Sequence, residues 1–187
     1  MPSEGGQLCG GCRREPFPFT RALAAFAYGG ALTQALLRFK HGGNRHLARP
    51  LGAYLVPLLN AVAGQGVDAI CPVPLHPRRL RERGYNQVLE LVRVARSKSR
   101  TRCRPPILPD AMVRTVDTPT LGHHSRTVRK RVVADAFAVN RPAAVAGRKV
   151  LLVDDVMTTG ATLAECSRTL LGAGASEVLV AALARAI

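Results

Sequence analysis

Short unbroken apolar runs alternate with apolar stripes at helical spacing along most of this chain. Val150 to Val153 is one such run. It shows no polar alternation, as expected of a strand buried on both faces of a parallel sheet. Leu163, Cys166 and Leu170 follow at helical spacing, so Met157 to Thr162 is predicted to be a strand-to-helix turn. Val67 to Val73 is a second apolar strand, and Val88, Leu91, Val92 and Ala95 mark a helix that packs on the sheet. Nearer the start, Leu23 to Tyr28 reads as a strand and Gly29-Gly30 as a turn. Leu32, Ala35, Leu36 and Phe39 then form one face of a helix ending at Lys40, a charge that suits a helix C-terminus. Leu47 to Val62 reads as a second, mostly apolar helix bent near Pro57. Ile107 begins another strand, Ala136 to Val139 and Arg148 to Val153 are expected to pair across a turn, and Glu177 to Leu183 is the last strand, after Gly172 and Gly174. The pattern predicts one α/β domain over 21–187, with a polar, glycine-rich tail over 1–20.

The polar residues concentrate where the predicted strands end. Asp154 and Asp155 close the run at Val153, and the turn after them carries Met157, Thr158, Thr159, Gly160, Ala161 and Thr162. The free N–H groups and dipole of the following helix favour an anion, Gly160 permits close approach of the backbone, and the threonine hydroxyls add donors. Two carboxylates beside an anion site would repel a bare phosphate. A phosphate joined to a sugar resolves this, because carboxylates accept hydrogen bonds from a diol one ring away. The plain alternative, in which one of these residues only caps the helix, leaves the others without a role.

A second polar stretch follows Val73. Pro74, Leu75, His76, Arg78 and Arg79 open a proline-stiffened loop with four arginines between Arg78 and Arg83. It reads either as a diphosphate site or as a solvated turn. Arg93, Arg96, Arg100, Arg102 and Arg104 lie in a run with no acidic residue. Such a run is usually a solvated loop, and its other reading is a nucleic-acid contact. Arg114 to Asp135, which includes His123, His124, Arg126 and Arg129, is polar and lacks core spacing, the profile of a mobile functional loop.

Charge bears on the partners. The chain has 27 Lys plus Arg against 12 Asp plus Glu, a net +15, and only Lys40, Lys98, Lys130 and Lys149 are lysine. Arginine forks suit phosphate, so either single-stranded DNA is a partner or the excess keeps the chain soluble. The longest apolar stretch, Leu51 to Ala63, is too short to span a membrane, and the N-terminus lacks a basic start before an apolar run, so a cytoplasmic protein is expected. Cys9 and Cys12 supply half a zinc site, and no second pair follows. Tight zinc is not expected from them.

Two segments resemble known motifs. Val150 to Thr162 is similar, almost letter for letter, to the phosphoribosyl pyrophosphate (PRPP) signature of type I phosphoribosyltransferases. Pro-Val-Pro-Leu-His-Pro-x-Arg from Pro72, then Arg-Gly-Tyr-Asn-Gln from Arg83, resembles the ComF family, the phosphoribosyltransferase-like proteins of bacterial competence. The resemblance covers roughly 20–187 and implies a type I phosphoribosyltransferase fold, with PRPP losing diphosphate in the presence of Mg²⁺. It assigns Asp154 and Asp155 to the ribose hydroxyls and, with Arg129, to the catalytic site. Met157 to Thr162 falls to the 5′-phosphate, Pro74, Leu75, His76, Arg78 and Arg79 to the diphosphate, and Arg114, Arg126 and Arg129 to a closing loop. Arg114, Asp117-Thr118-Pro119 and Ala136-Phe137 fit the family, whereas Leu121 and Val132 replace its usual glutamine and asparagine. The family tends to carry two Cys-x-x-Cys pairs, so the tail is expected to hold a zinc-ribbon remnant. Three readings stay open: an acting transferase linked to DNA uptake, a PRPP-binding regulator without turnover, and a nucleobase-salvage transferase with no DNA role.

Overall fold

The computed structural model describes residues 16–41, 43–102, 104–118 and 126–186. Four parallel strands form the central sheet: β1 (Arg21–Ala27), β2 (Ala69–Pro72), β5 (Lys149–Met157) and β6 (Glu177–Arg185), in the order β1-β6-β5-β2. All three pairings are parallel. Val150 to Val153 is essentially without solvent, as its unbroken apolarity predicts. Ile107 contributes a single bridge to Ile70 at the outer edge of β2, where a whole strand was expected.

Side chains alternate across the sheet and feed two cores. Leu151, Val153, Leu179 and Ala181 pack with helices α1 (Gly30–Lys40), α2 (Ala48–Ala53), α3 (Val56–Ala63) and α5 (Gln87–Lys98). Val150, Leu152, Val178 and Val180 pack on the other face with α7 (Ala161–Gly172), which supplies Leu163, Cys166 and Leu170, the three residues of its predicted stripe. Among the described residues no helix is long and apolar enough to cross a membrane.

Several expectations need correction. The apolar stretch from Leu47 to Val62 forms two helices, broken at Tyr54 and Leu55; Pro57, without an N–H, sits in the first turn of α3, where no intrahelical donor is needed. The arginine loop contains a helix, α4 (Pro77–Arg83). It is started by Pro77 and a His76 side-chain cap on the Arg78 N–H, and stopped by Gly84 in the left-handed region at φ 80°. The run from Arg93 is helical through Lys98, since Val88, Leu91, Val92 and Ala95 are buried against the sheet. Strand β4 (Phe137–Val139) does not pair with the run at Arg148 to Val153. It forms an antiparallel ribbon with β3 (Met112–Arg114), because both edges of β5 are already occupied by β2 and β6. Within the expected mobile loop, Arg114 ends β3 and α6 (Arg126–Val133) is helical.

Helices α2 and α5 cross at Gly52, where there is no room for a side chain. A Cβ there would meet the Leu91 carbonyl oxygen and the Val94 Cβ, each at 2.8 Å. Backbone and a β-branched stem cannot step aside cheaply. Gly52→Ala should therefore cost about 1–3 kcal/mol, read as a lower thermal midpoint than that of Gly64→Ala, whose Cβ meets nothing within 4 Å.

Candidate ligand site at the carboxyl edge of the sheet

The segments after β2 and β5 leave neighbouring strands in different directions. One leads through α4 to α5 on one face, and the other into α7 on the opposite face. This divergence opens a crevice at the carboxyl edge of a parallel sheet, the place where such sheets hold ligands. It brings together two stretches about 80 positions apart in sequence.

Strand β5 continues to Met157, so the two aspartates lie within it rather than after it. Successive strand residues face opposite sides, and the pair is split accordingly. Asp155 turns inward and is 4% exposed. Its Oδ1 lies 2.9 Å from Lys40 Nζ and its Oδ2 accepts from Gln87 Nε2 at 2.8 Å. Burial works against the Lys40 charge, but the attraction and hydrogen bond of Asp155 outweigh it and the ammonium's pKa is raised. Asp154 is half-buried on the other side, where it lines a cleft with Val133, Val156 and the stretch from Met157 to Leu163. Burial first, and then the neighbouring Asp155 carboxylate, push the Asp154 carboxyl up to about 7, against the pull of Lys40 and Arg114.

In the turn itself Gly160 takes φ 78° and is the residue before α7, so the helix begins with its N–H groups directed into the cleft. The Thr159 hydroxyl accepts weakly from the Ala161 N–H at 3.4 Å. The Phe17 ring covers Gly160 closely: a Cβ there would stand 3.0 Å from it. Phe17 in turn stacks on Phe19 at 4.7 Å. No sequence signal assigned this aromatic pair to the turn.

The arginine helix stands across the crevice. Arg78 Nη1 lies 3.0 Å from Asp117 Oδ2, while Arg79 Nε and His76 Nδ1 each lie 3.7 Å from Asp117 Oδ1. Arg114, over the Phe137 ring at 5.3 Å, donates to the Thr118 hydroxyl. Burial and nearby Arg79 lower the Arg114 pKa, and the fields of Asp154 and Asp117 oppose this. Its Nε is buried without a hydrogen-bond partner. Arg114 thus lies within reach of charges on both halves of the crevice. The backbone of α6 carries Arg126 and Arg129 beside α7; their side chains, and Cys9, Cys12, Leu121, His123 and His124, lie outside the description.

The stretch Arg83-Gly84-Tyr85-Asn86-Gln87 joins these parts. Arg83 donates to the Gln87 side-chain Oε1, Tyr85 donates to the Phe39 backbone carbonyl, and Asn86 caps α5 while donating to the Val73 backbone carbonyl at 3.0 Å. Gln87 and Tyr85 thus tie α1 and Asp155 to the arginine helix. The five basic-run residues fare differently. Arg93 pairs with Glu90 at 2.9 Å, and Arg96 and Arg104 donate to the carbonyls of Pro105 and Ser99. Arg100 and Arg102 are exposed. Among the described residues no group of three or more His, Cys, Asp or Glu side chains could hold a metal ion. Cys71 and Cys166 are buried, and burial pushes the Cys71 thiol up to about 12, so neither acts as a nucleophile.

Residues 107–187 match the phosphoribosyl transferase domain family. Over 192 residues the chain is 34% identical to DNA utilization protein YhgH of Escherichia coli O6:H1, covering all of this chain and 82% of that protein. It is 33% identical to Competence protein F of Haemophilus influenzae, across 96% of this chain and 79% of that one. With Competence protein ComFC of Bacillus subtilis it shares 25% identity over 81% of its length and 58% of the relative's.

The raised carboxyl of Asp154 sets a sign for stability. A group whose folded pKa lies above its unfolded value holds its proton more tightly when folded, so stability falls as pH rises from about 4 to about 7. Asp154→Asn removes this cost. Calorimetric melting should show the variant gaining more over the native chain at pH 8 than at pH 5; equal gains at both would refute the assignment.

Proposed function

Because the chain belongs to the ComF family and has its type I phosphoribosyltransferase fold, we propose that it binds PRPP across this crevice and transfers the phosphoribosyl group to an acceptor nucleophile, whose bond to the anomeric carbon forms as the bond to diphosphate breaks. The observation that carries the reading is the juxtaposition of an N–H-rich turn, a carboxylate in the same cleft, and an arginine helix one strand away. Residues Met157 to Thr162 receive the 5′-phosphate. Asp154 accepts from the ribose hydroxyls, and Asp155, on the opposite side of the strand, fixes the register of the pair through Lys40 and Gln87. His76, Arg78 and Arg79 receive the diphosphate, with Arg114 held beside them on the Thr118 hydroxyl. No protein nucleophile is required, so rate comes from positioning and from charge placed where the leaving group develops its own.

Mg²⁺ fits this reading as a companion of the ligand. Among the described residues the cleft offers Asp154 and no three-residue cluster of metal-ligating side chains, so diphosphate and ribose oxygens would supply most of its coordination. When bound, it neutralises charge on the departing diphosphate.

The relatives' names and the net +15 favour a place in DNA utilization, with single-stranded DNA held by phosphate contacts. Arg96 and Arg104 brace the backbone around Ser99 to Pro105, so Arg93, Arg100 and Arg102 are the side chains to test.

Two measurements bear on these readings. Asp154→Asn leaves the Lys40 pair intact, and losing one charge-assisted contact should weaken PRPP binding about ten- to hundredfold by calorimetry. Unchanged affinity in the folded variant would remove the central assignment. For DNA, neutralising about four to six phosphates should give a slope of log affinity against log salt of roughly −3 to −4. Replacing Arg93, Arg100 and Arg102 by serine should flatten that slope and spare PRPP binding. Failure to retain labelled single strands at low salt would end the DNA reading.

A further inference from the structure

The residues assigned to the diphosphate already face an anion, and it belongs to the protein. Arg78, Arg79 and His76 converge on the two oxygens of Asp117 at 3.0, 3.7 and 3.7 Å. The next residue continues the contact. Arg79 Nη2 donates to the Thr118 carbonyl at 2.6 Å, Arg114 donates to its hydroxyl, and Thr118 is 3% exposed. The segment just after β3 therefore lies against the arginine helix by its most polar atoms. Such a placement has an electrostatic reason. Arg79 lowers the pKa of both Arg83 and Arg114, with burial as the larger cause in each. An uncompensated cluster would strain the crevice, and one carboxylate relieves it.

We propose that this site is filled by exchange: the diphosphate group of the ligand displaces the Asp117 carboxylate from Arg78, Arg79 and His76. The inference rests on the reading of those three residues as the diphosphate site. The Asp117 side chain is 28% exposed and that of Arg78 66%, so water reaches the pair and its rupture is cheap. A diphosphate brings more charge and more acceptor oxygens, and it meets the arginine forks in two places at once. Rotation of the Asp117 side chain releases its contacts with Arg78, Arg79 and His76, while Arg79 Nη2 keeps the Thr118 carbonyl. The exchange names the ligand class: a multiply charged phosphate succeeds where a singly charged carboxylate in solution does not, since Asp117 is held beside the site by the chain and has the advantage of a high local concentration.

The test uses the full chain and inorganic diphosphate as the probe, followed by titration calorimetry near neutral pH and low salt. Asp117→Asn keeps the shape and removes the charge, and it should bind diphosphate about tenfold tighter than the native chain, the weight of one charge-assisted contact. Asp117→Glu restores the anion and should return the affinity towards native. Glu82→Gln is the comparison, because it removes the other acid on Arg78 and leaves the contacts of Asp117 with Arg79 and His76 in place. It removes an acid 2.9 Å from Arg78 Nε on the exposed side of the same helix, and should tighten binding about twofold or less. If Asp117→Asn is less stable, diphosphate should still raise its melting temperature by more than it raises that of the native chain. Exchange is overturned if Asp117→Asn binds no more tightly than native, or if Glu82→Gln matches it, while Arg79→Ala still weakens native binding. If native and Asp117→Asn chains bind no diphosphate, or bind it equally with Arg79→Ala in place, the diphosphate assignment itself falls and exchange falls with it.

Discussion

The arrangement depends on one buried carboxylate. Asp155 has almost no water, and its two oxygens are taken by Lys40 at 2.9 Å and Gln87 at 2.8 Å. A charge placed so deep is tolerated only with partners, and losing either would leave an uncompensated group in the core. The three residues come from three elements, α1, α5 and β5. Their meeting fixes the end of the first helix, the start of the helix after the arginines, and the strand that leads into the turn at Gly160. Tyr85 reinforces the same junction through the Phe39 carbonyl.

Asp154 takes its character from that neighbour. Strand alternation sends it into the cleft while Asp155 goes into the core, and the backbone N–H of Asp155 donates to Asp154 Oδ1 at 2.8 Å. Burial first, and then the Asp155 carboxylate beside it, hold the Asp154 carboxyl up to about 7, and Lys40, paired with Asp155, pulls against them. Two adjacent residues of one type thus acquire different tasks, one holding the frame and the other meeting the cleft. The arginine helix is organised on the same lines, with its charges matched against Asp117, Glu82 and the Thr118 carbonyl before any ligand arrives.

Much of the architecture was legible in the chain. Val150 to Val153 could only be a strand covered on both faces, and Leu163, Cys166 and Leu170 could only be the inner stripe of the helix after it, because burial leaves no other use for those patterns. The glycine at 160 and the hydroxyls around it marked the turn for the same reason, a local conformation that few residues supply. Pro77 and Gly84 bound a helix in the structure, but in the sequence the arginines between them read as a polar loop. A short solvated helix has no apolar stripe to announce it.

What the chain determined by itself was local: periodicity, turn chemistry, and the residue types gathered at each strand end. Tertiary structure decided which of these meet. Ala136 to Val139 was expected to pair with the run at Arg148 to Val153, and the occupied edges of β5 left it to β3 instead. Lys40 carried the ordinary meaning of a helix end until folding set it against a carboxylate 115 positions away, and Asp117 was one polar residue among many until it faced α4. Pairing of distant charges depends on where the backbone places them and on how much water remains, and neither quantity is written in the order of residues.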